Sequence, residues 1–196
     1  MSTAVQIRPY HPDDLAQAKA LDARVKPYRP EDRPEVEAMF ERARQAKALG
    51  DRWLPPSPPY PALEQVEEVY LAFWVAVLPP DTGGASQVVG TVGVYRAGTD
   101  QEIWPDMPQA EGWRRRTDVA ELRRLRVAPE LRRQGIATRL NQTAIAWCRE
   151  QSFRTLVVNT TAAQIPALNL YRKLGFQEIY RSFIDQYELV WFELAL

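Results

Sequence analysis

The chain has 196 residues, of which 45% are hydrophobic and 26% charged, and this composition is typical of one ordinary globular domain with a sizeable core. Its 25 basic and 25 acidic side chains balance, which argues against a general nucleic-acid-binding role because such proteins normally carry a basic excess. With one cysteine and one histidine, the chain lacks the residues for an intrachain disulfide or for a cysteine- or histidine-rich metal site.

No targeting or membrane-spanning segment is predicted. The N-terminal residues become charged early and contain no apolar leader, and no apolar run approaches the ~20 residues that a membrane helix needs. We therefore expect a cytoplasmic protein without a membrane partner, and we treat residues 1–196 as a single domain.

The first strand is ambiguous because one pattern occurs twice. Residues 7–14 have the sequence IRPYHPDD, and residues 25–32 have the similar sequence VKPYRPED. Each copy is typical of a short strand that leads into a proline-marked helix start. We take the strand at Ile7 as the first and leave the strand at Val25 as the alternative. Apolar residues at helical spacing then predict a helix over 35–49.

From residue 70 onward the apolar pattern becomes that of strands. The predicted elements after the first helix are a proline-rich loop (55–61), a short helix (62–69), a strand hairpin (71–78 and 87–95), a polar loop (97–118), a strand (119–127), a helix (135–151), a strand (155–158), a helix (165–174) and two final strands, the last over 187–194. A hairpin followed by alternating strands and helices is typical of an α/β domain with a mixed sheet.

The last predicted strand, 187–194, is apolar on both faces. A half-exposed edge strand would alternate apolar and polar residues, so this strand is either central in the sheet or covered by a second copy of the chain. The second alternative keeps a homodimer open.

A short turn between the 119–127 strand and the next helix carries the first chemical signal. Its residues are Arg132, Arg133, Gln134, Gly135, Ile136 and Ala137. Such a turn bares backbone N–H groups at the positive end of a helix, where phosphate oxygens bind, and the glycine lets a ligand approach the backbone closely. The alternative is a solvated arginine turn that only starts a helix. A Walker-type loop is excluded, since no Gly-Lys-Ser/Thr follows.

Residues 119–176 resemble the acyl-CoA-binding half of the GCN5-related N-acetyltransferase (GNAT) family. The turn fits the family's loop, Gln/Arg-x-x-Gly-x-Gly/Ala, and residues 166–176 fit its second motif, with Tyr171 and Gly175-Phe176 at matching positions. The resemblance implies an α/β acyl-CoA N-acyltransferase (GNAT) fold, with a mixed, mostly antiparallel sheet of six to seven strands flanked by helices. It also implies an enzyme that transfers the acetyl group of acetyl-CoA to a primary amine by direct attack in a ternary complex, without a metal.

In the family, the pantetheine arm of acetyl-CoA lies between the splayed fourth and fifth strands, and the loop holds the pyrophosphate. By position, the resemblance assigns the pantetheine contacts to Leu125 and Val127, with the N–H of Val127 polarising the thioester carbonyl. It assigns the pyrophosphate contacts to the six turn residues. The asparagine that often precedes the second motif is replaced by Gln164, which has the same amide on a longer arm.

The resemblance also supplies two catalytic candidates. Tyr171 lies at the position of the family's general acid, which protonates the departing CoA thiolate, although it is alternatively a core tyrosine. Glu121 lies on the strand where the histone-acetylating branch has its base glutamate, which would take a proton from the amine. The alternative is an exposed or ion-paired glutamate beside Arg123.

The acceptor is the least determined part of the prediction. We expect it to be a small molecule or a protein, recognised by the loops 50–62 and 97–118, whose aromatic and acidic residues suit a cationic amine. Alternatively, their tryptophans, including Trp113, only pack the loops down. Cys148 is expected to be inert, which disfavours a covalent acyl-cysteine route. The alternative function is a non-catalytic acyl-CoA-binding module of the same fold.

Overall fold

The computed structural model describes residues 24–48, 66–78, 87–98, 112–113, 115–184 and 187–196. These residues form four α-helices and seven strands, which are, in chain order, β1 (Arg24–Pro27), α1 (Arg33–Ala48), α2 (Val66–Val69), β2 (Ala72–Leu78), β3 (Gln87–Arg96), β4 (Val119–Val127), α3 (Ile136–Glu150), β5 (Thr155–Thr161), α4 (Ile165–Lys173), β6 (Gln177–Ile184) and β7 (Tyr187–Ala195). Short 3₁₀ turns at Pro30–Asp32 and Pro129–Leu131 precede α1 and α3.

All seven strands belong to one sheet with the order β1-β2-β3-β4-β5-β7-β6. Neighbouring strands are antiparallel except β4 and β5, which are parallel. Parallel neighbours need a crossover connection, and α3 supplies it. The predicted mixed, mostly antiparallel sheet of six to seven strands with flanking helices is therefore confirmed.

Most predicted elements are found within a few residues of their expected ends. The strand over 119–127 has the predicted bounds, whereas β5 extends three residues past the predicted 155–158, to Thr161. At the N-terminal side, Val25 lies in β1 and pairs with Ala76 of β2, so the second copy of the repeated pattern forms an edge strand. The strand predicted at Ile7, and the loop over 55–61, lie outside the described residues.

The central strands are covered on both faces, because helices pack on each side of the sheet. On one face, Trp74 of β2 joins a large apolar cluster with Leu140 of α3 and Leu168 of α4. On the other face, Val75 of β2 joins a second cluster with Val36 of α1 and Val66 of α2. Burial on both faces explains why β2 is an unbroken apolar run rather than an alternating one.

The doubly apolar strand β7 is central. It lies between β5 and β6, and the chain itself covers both of its faces. Val190 and Phe192 face the large cluster beneath α3 and α4. Leu189 and Trp191 face a third cluster on the opposite side, which contains Trp113. The first of the two alternatives for this strand is therefore correct, and its composition requires no second copy of the chain.

An aromatic corner leaves no room for a side chain on β3. Tyr70 and Phe73 meet edge to face, with ring centroids 5.2 Å apart. A Cβ added at Gly93 would lie 2.6 Å from Cδ1 of Tyr70 and 2.8 Å from Cδ2 of Phe73. Glycine is required here because the two rings occupy the space directly above the strand.

We expect Gly93→Ala to lower the free energy of unfolding by about 1–3 kcal/mol, the usual cost of overpacking a core. The matched control is Gly112→Ala, where an added Cβ meets nothing within 4 Å. That change should stay within about 0.5 kcal/mol of the wild type. Urea denaturation of the two variants measures both values, and equal stabilities would contradict the packing assigned to this corner.

Candidate active site

The sheet splits between its two parallel strands. Parallel pairing of β4 with β5 is limited to three residue pairs, the last of which joins Glu121 to Val157. Beyond that pair, β4 continues to Val127 on its β3 side, and β5 continues to Thr161 on its β7 side. The facing edges of the two strands therefore separate into a gap in the middle of the sheet.

One side of this gap is lined by backbone groups of β4. The N–H of Ala128 donates to the carbonyl of Val89 on β3 at 2.8 Å. Backbone groups point alternately to either side of a strand, so the N–H of Arg126 also faces β3. The N–H groups of Val127 and, one step back, Leu125 then face the gap. These are the two residues that the resemblance assigned to pantetheine binding.

A β-bulge in β4 determines this orientation. Thr91 of β3 pairs with Arg126, but Gly93 pairs with Arg123, so Arg124 and Leu125 lie opposite a single residue of β3. Bulges bend a strand and increase its twist, and this one lies just beyond the last pair that β4 makes with β5. The bulge thus coincides with the opening of the gap.

The predicted phosphate turn follows β4 after the short 3₁₀ turn Pro129–Leu131. Arg133 and Gly135 both have left-handed backbone conformations, with φ of 61° and 81°. Arg132 and Arg133 are exposed, and a Cβ added at Gly135 would meet nothing within 4 Å. The backbone at Gly135 is thus accessible, and phosphate binding by this turn stays a prediction.

The start of α3 presents backbone donors beside this turn. The N–H of Arg139 donates to the carbonyl of Gly135 at 3.0 Å, which is the first bond of the helix. The N–H groups of Ile136, Ala137 and Thr138 therefore have no acceptor within the helix. The side chain of Ile136 is buried in the core, so this residue offers a ligand only its backbone. Oε1 of Gln134, in the turn itself, is buried without a hydrogen-bond partner.

Tyr171 lies on α4, packed into the large cluster on the face that α3 also covers. Its side chain is buried, and its ring centroid lies 5.6 Å from that of Phe176 and 5.8 Å from that of Phe192. Gly175 ends the helix with φ of 92°, and the N–H of Phe176 returns to the carbonyl of Tyr171. The ring is therefore fixed by packing, while its role as an acid stays a prediction.

The side chain of Glu121 lies on the face of β4 that points away from α3 and Tyr171. Its neighbours Ala120 and Leu122 pack in the cluster beneath α3, and side chains alternate between the faces of a strand. The Glu121 side chain is 1% exposed, and its Oε2 accepts a hydrogen bond of 2.9 Å from Nη2 of Arg123. The guanidinium of Arg123 lies 4.2 Å from the centroid of the Tyr95 ring. The structure thus contains the ion pair that was the alternative to a catalytic base.

Comparison with known protein families finds a match that spans most of the chain. Residues 36–176 match the model of the Acetyltransferase (GNAT) family. The chain belongs to the GNAT family. Its members are acetyltransferases, and the matched region contains β2 to β5, the phosphate turn and α4.

Solved GNAT structures share the fold across most of the chain. A GNAT acetyltransferase from Staphylococcus aureus Mu50 has a TM-score of 0.63 at 19% identity, covering 88% of this chain and 98% of that one. A GCN5-related N-acetyltransferase from Kribbella flavida has a TM-score of 0.62 at 19% identity, covering 90% and 99%. Arabidopsis thaliana NAA60, solved in complex with acetyl-CoA, has a TM-score of 0.59 at 18% identity, covering 89% and 98%. Among curated proteins there is no significant match.

Two features of this GNAT site were not predicted by the sequence analysis. The first is the bulge, whose signal is the interrupted alternation from Leu122 to Val127, where two arginines stand side by side. The second is an internal contact at the gap: Nη1 of Arg126 donates to the carbonyl of Leu125 at 3.0 Å. This arginine therefore contacts the backbone of Leu125, one of the two residues that the resemblance assigned to pantetheine binding.

The remaining candidates of this GNAT chain are placed as follows. Cys148 is buried in α3, and burial raises the pKa of its thiol to about 12, so a nucleophilic thiolate is scarce at neutral pH. Within the described residues, no cluster of three or more histidine, cysteine, aspartate or glutamate side chains could hold a metal ion. No helix in this part of the chain is long and apolar enough to cross a membrane.

Of the predicted acceptor loops, 50–62 lies outside the described residues, as does most of 97–118. Trp113 is described, and its side chain is 3% exposed. Its ring centroid lies 6.5 Å from that of Trp191 in the third cluster. This tryptophan packs its segment against the sheet, which was the alternative to acceptor binding.

The ion pair beside the gap predicts strong thermodynamic coupling. Glu121→Gln leaves the Arg123 charge buried without its counterion, and we expect the free energy of unfolding to fall by about 3–5 kcal/mol. Arg123→Met should cost a similar amount, because it strands the carboxylate.

The double variant should be more stable than the sum of the two single effects predicts, because it removes both charges together. Urea denaturation of all four proteins gives the coupling energy. Asp118→Asn, at the exposed pair with Arg116, serves as the control and should change stability far less. Simple additivity of the two buried substitutions would show that the pair is not coupled.

Proposed function

We propose that this protein is an N-acetyltransferase that binds acetyl-CoA along the gap between β4 and β5 and transfers its acetyl group directly to a primary amine in a ternary complex. The observation that carries the proposal is the opening of the sheet after the Glu121–Val157 pair, with backbone donors lining it and a phosphate turn at its end. Family membership and the acetyl-CoA in the related A. thaliana structure support this choice of cosubstrate.

The phosphate end of the site fits a pyrophosphate. The N–H groups at the start of α3 lie at the positive end of a 15-residue helix, where negative charge is stabilised. The exposed side chains of Arg132 and Arg133 add guanidinium donors whose planar geometry matches phosphate oxygens. The open space at Gly135 allows the phosphate oxygens to approach the backbone closely. These contacts would anchor the cosubstrate without involving its reactive end.

The reactive end fits the backbone of β4. Acetyl-CoA supplies a thioester, whose carbonyl oxygen gains negative charge when an amine attacks it. The N–H of Val127 faces the gap, and a fixed backbone donor at this position would stabilise that charge as an oxyanion hole does. The N–H of Leu125 would donate to the pantetheine arm, which would take the place of a neighbouring strand.

The departing thiolate and the attacking amine would lie on different faces of the sheet. Tyr171 lies on the α3–α4 face, so it is the candidate acid for the departing thiolate. Free tyrosine has a pKa of about 10 and a free thiol about 8.5, so the transfer requires the sulfur to be held close to the phenol. The amine would approach from the other face, on which Glu121 and Tyr95 lie.

The buried ion pair favours a structural role for Glu121 over the role of catalytic base. Taking up a proton would neutralise this carboxylate and leave the buried charge of Arg123 without its counterion. We propose that Glu121 holds Arg123 against the Tyr95 ring and that the ammonium proton leaves to water. Loss of the acidic limb from the pH profile of kcat/KM in Glu121→Gln would instead restore the base role.

The phosphate turn is tested by placing a carboxylate in it. Gly135→Glu should abolish binding of acetyl-CoA, because the new side chain occupies the space at the turn and repels the pyrophosphate. Isothermal titration calorimetry measures the affinity of wild type and variant. The expected loss is at least about a hundredfold, or roughly 2.7 kcal/mol.

The control for this experiment is Gly175→Glu. Gly175 also has a positive φ at a helix end, so the same substitution introduces the same kind of backbone strain and the same charge away from the turn. Binding should survive in this variant. If acetyl-CoA binds equally well to Gly135→Glu, the turn is not the phosphate site. Absence of binding to wild-type protein freed of co-purified CoA would contradict the proposed function itself.

The acid is tested with Tyr171→Phe, which keeps the packed ring and removes only the hydroxyl. We expect kcat to fall by about 10²–10⁴-fold, while the dissociation constant of acetyl-CoA changes less than about threefold. Release of CoA during turnover with a panel of amines measures kcat. Tyr180→Phe, on β6, is the matched control and should behave like wild type.

The same experiment separates the enzyme from a non-catalytic acyl-CoA-binding module. A module would bind acetyl-CoA with no turnover on any amine and would be insensitive to both tyrosine substitutions. Full activity in Tyr171→Phe would instead show that the phenol is only part of the core.

A further inference from the structure

The bulge in β4 is a strained feature at the centre of the proposed site. Arg124, the first residue of the bulge, has a φ of 56°, in the left-handed region that residues other than glycine rarely adopt. Such a conformation is strained and persists only where the surroundings impose it. Something nearby must therefore stabilise the backbone at this residue.

The adjacent strand provides that stabilisation through one side chain. Thr91 of β3 is fully buried, and its Oγ1 donates a hydrogen bond of 2.7 Å to the carbonyl of Arg124. The guanidinium of Arg124 is fixed as well, because its Nε donates to the hydroxyl of Tyr70 at 3.3 Å. Arg124 is thus held at two points. Thr91 of β3 fixes its backbone, and Tyr70 of the aromatic corner fixes its side chain.

The bulge also decides which backbone donors reach the gap. Before it, Gly93 pairs with Arg123, and an uninterrupted ladder from this pair would place Val127 opposite Val89. The N–H of Val127 would then face β3, in the position that Ala128 occupies now. The one-residue insertion shifts the register, so that the N–H of Val127 faces the gap instead.

We propose that Thr91 is a positioning residue for acetyl transfer: its hydrogen bond to Arg124 maintains the bulge that aims the N–H of Val127 at the thioester. This inference rests on the proposed function, because it concerns the donor that stabilises the transition state there. In this proposal Thr91 needs no contact with acetyl-CoA or with the amine. It acts through the backbone of β4, and a displacement of about 1 Å at a catalytic donor is enough to slow a reaction about a hundredfold.

The test compares two substitutions at Thr91. Thr91→Val keeps the shape and removes the hydroxyl, and we expect kcat to fall by about ten- to a hundredfold. The affinity for acetyl-CoA should change less than about threefold, because the phosphate turn is untouched. Thr91→Ser retains the donor and should recover kcat to within about threefold of wild type. Thr155→Val, a buried threonine at the far end of β5, is the matched control and should leave both quantities unchanged.

A spectroscopic readout makes the test independent of turnover. The ¹⁵N–¹H resonance of Val127 should shift on addition of acetyl-CoA in wild type and in Thr91→Ser, but not in Thr91→Val. Arg124→Gly should act as a suppressor of Thr91→Val, since glycine adopts a positive φ without strain. The double variant should regain most of the lost kcat, and also its folded state if Thr91→Val alone does not fold.

The outcomes separate this inference from the proposed function. Wild-type kcat and a normal Val127 shift in Thr91→Val would overturn the role of Thr91 and leave the acetyltransferase intact. Failure of Arg124→Gly to rescue an unfolded or inactive Thr91→Val would also overturn it. A third outcome is a wild type that shows the Val127 shift but no turnover, together with a Thr91→Val variant that shows no shift. In that case Thr91 still orients the N–H of Val127, but the acetyltransferase function fails. A wild type that does not bind acetyl-CoA would overturn both.

Discussion

The site depends on one constraint, which is that β4 and β5 pair over only three residues and then separate. Each strand stays in the sheet because its other neighbour continues to hold it: β3 pairs with β4 as far as Val127, and β7 pairs with β5 as far as Thr161. Backbone donors and acceptors on the two facing edges are consequently left without strand partners in an otherwise continuous sheet. A buried sheet tolerates such an opening only where other groups can satisfy it, so the gap is itself the feature that calls for an extended ligand with amide groups.

The same opening explains the placement of side chains around it. Because the gap passes through the sheet, a bound thioester would be reachable from both faces, and the two faces are chemically different. The α3–α4 face presents Tyr171 in an apolar cluster, whereas the opposite face presents Glu121, Arg123 and Tyr95 in a buried polar arrangement. An attacking amine and a departing thiolate occupy different sides of the carbonyl carbon, so a sheet that is open in the middle can serve both without crowding them.

Local features of the sequence were sufficient to predict most of the fold, including the turn that leads into α3. The bounds of β4 and the turn from Arg132 to Ala137 depend on residues close together in the chain, and both were predicted correctly. The bulge and the Glu121–Arg123 pair were not predictable with the same certainty, because they depend on register with β3 and on burial by other elements. The first strand shows the limit of local pattern: two similar segments compete, and pairing with β2, which the sequence does not display, places Val25 in the sheet.

Backbone strain is concentrated beside the proposed site. Among the described residues, three other than glycine have positive φ, and two of them, Arg124 and Arg133, lie on the path from β4 into α3. Both belong to segments whose proposed contacts to acetyl-CoA are made by main-chain N–H groups. A main-chain donor requires a particular backbone conformation and tolerates many side chains, so selection would act on the few residues that impose that conformation. In the proposed site, Thr91 and Gly135 would be such residues. The information that specifies the site is therefore carried less by reactive side chains than by the groups that hold a strained backbone in place.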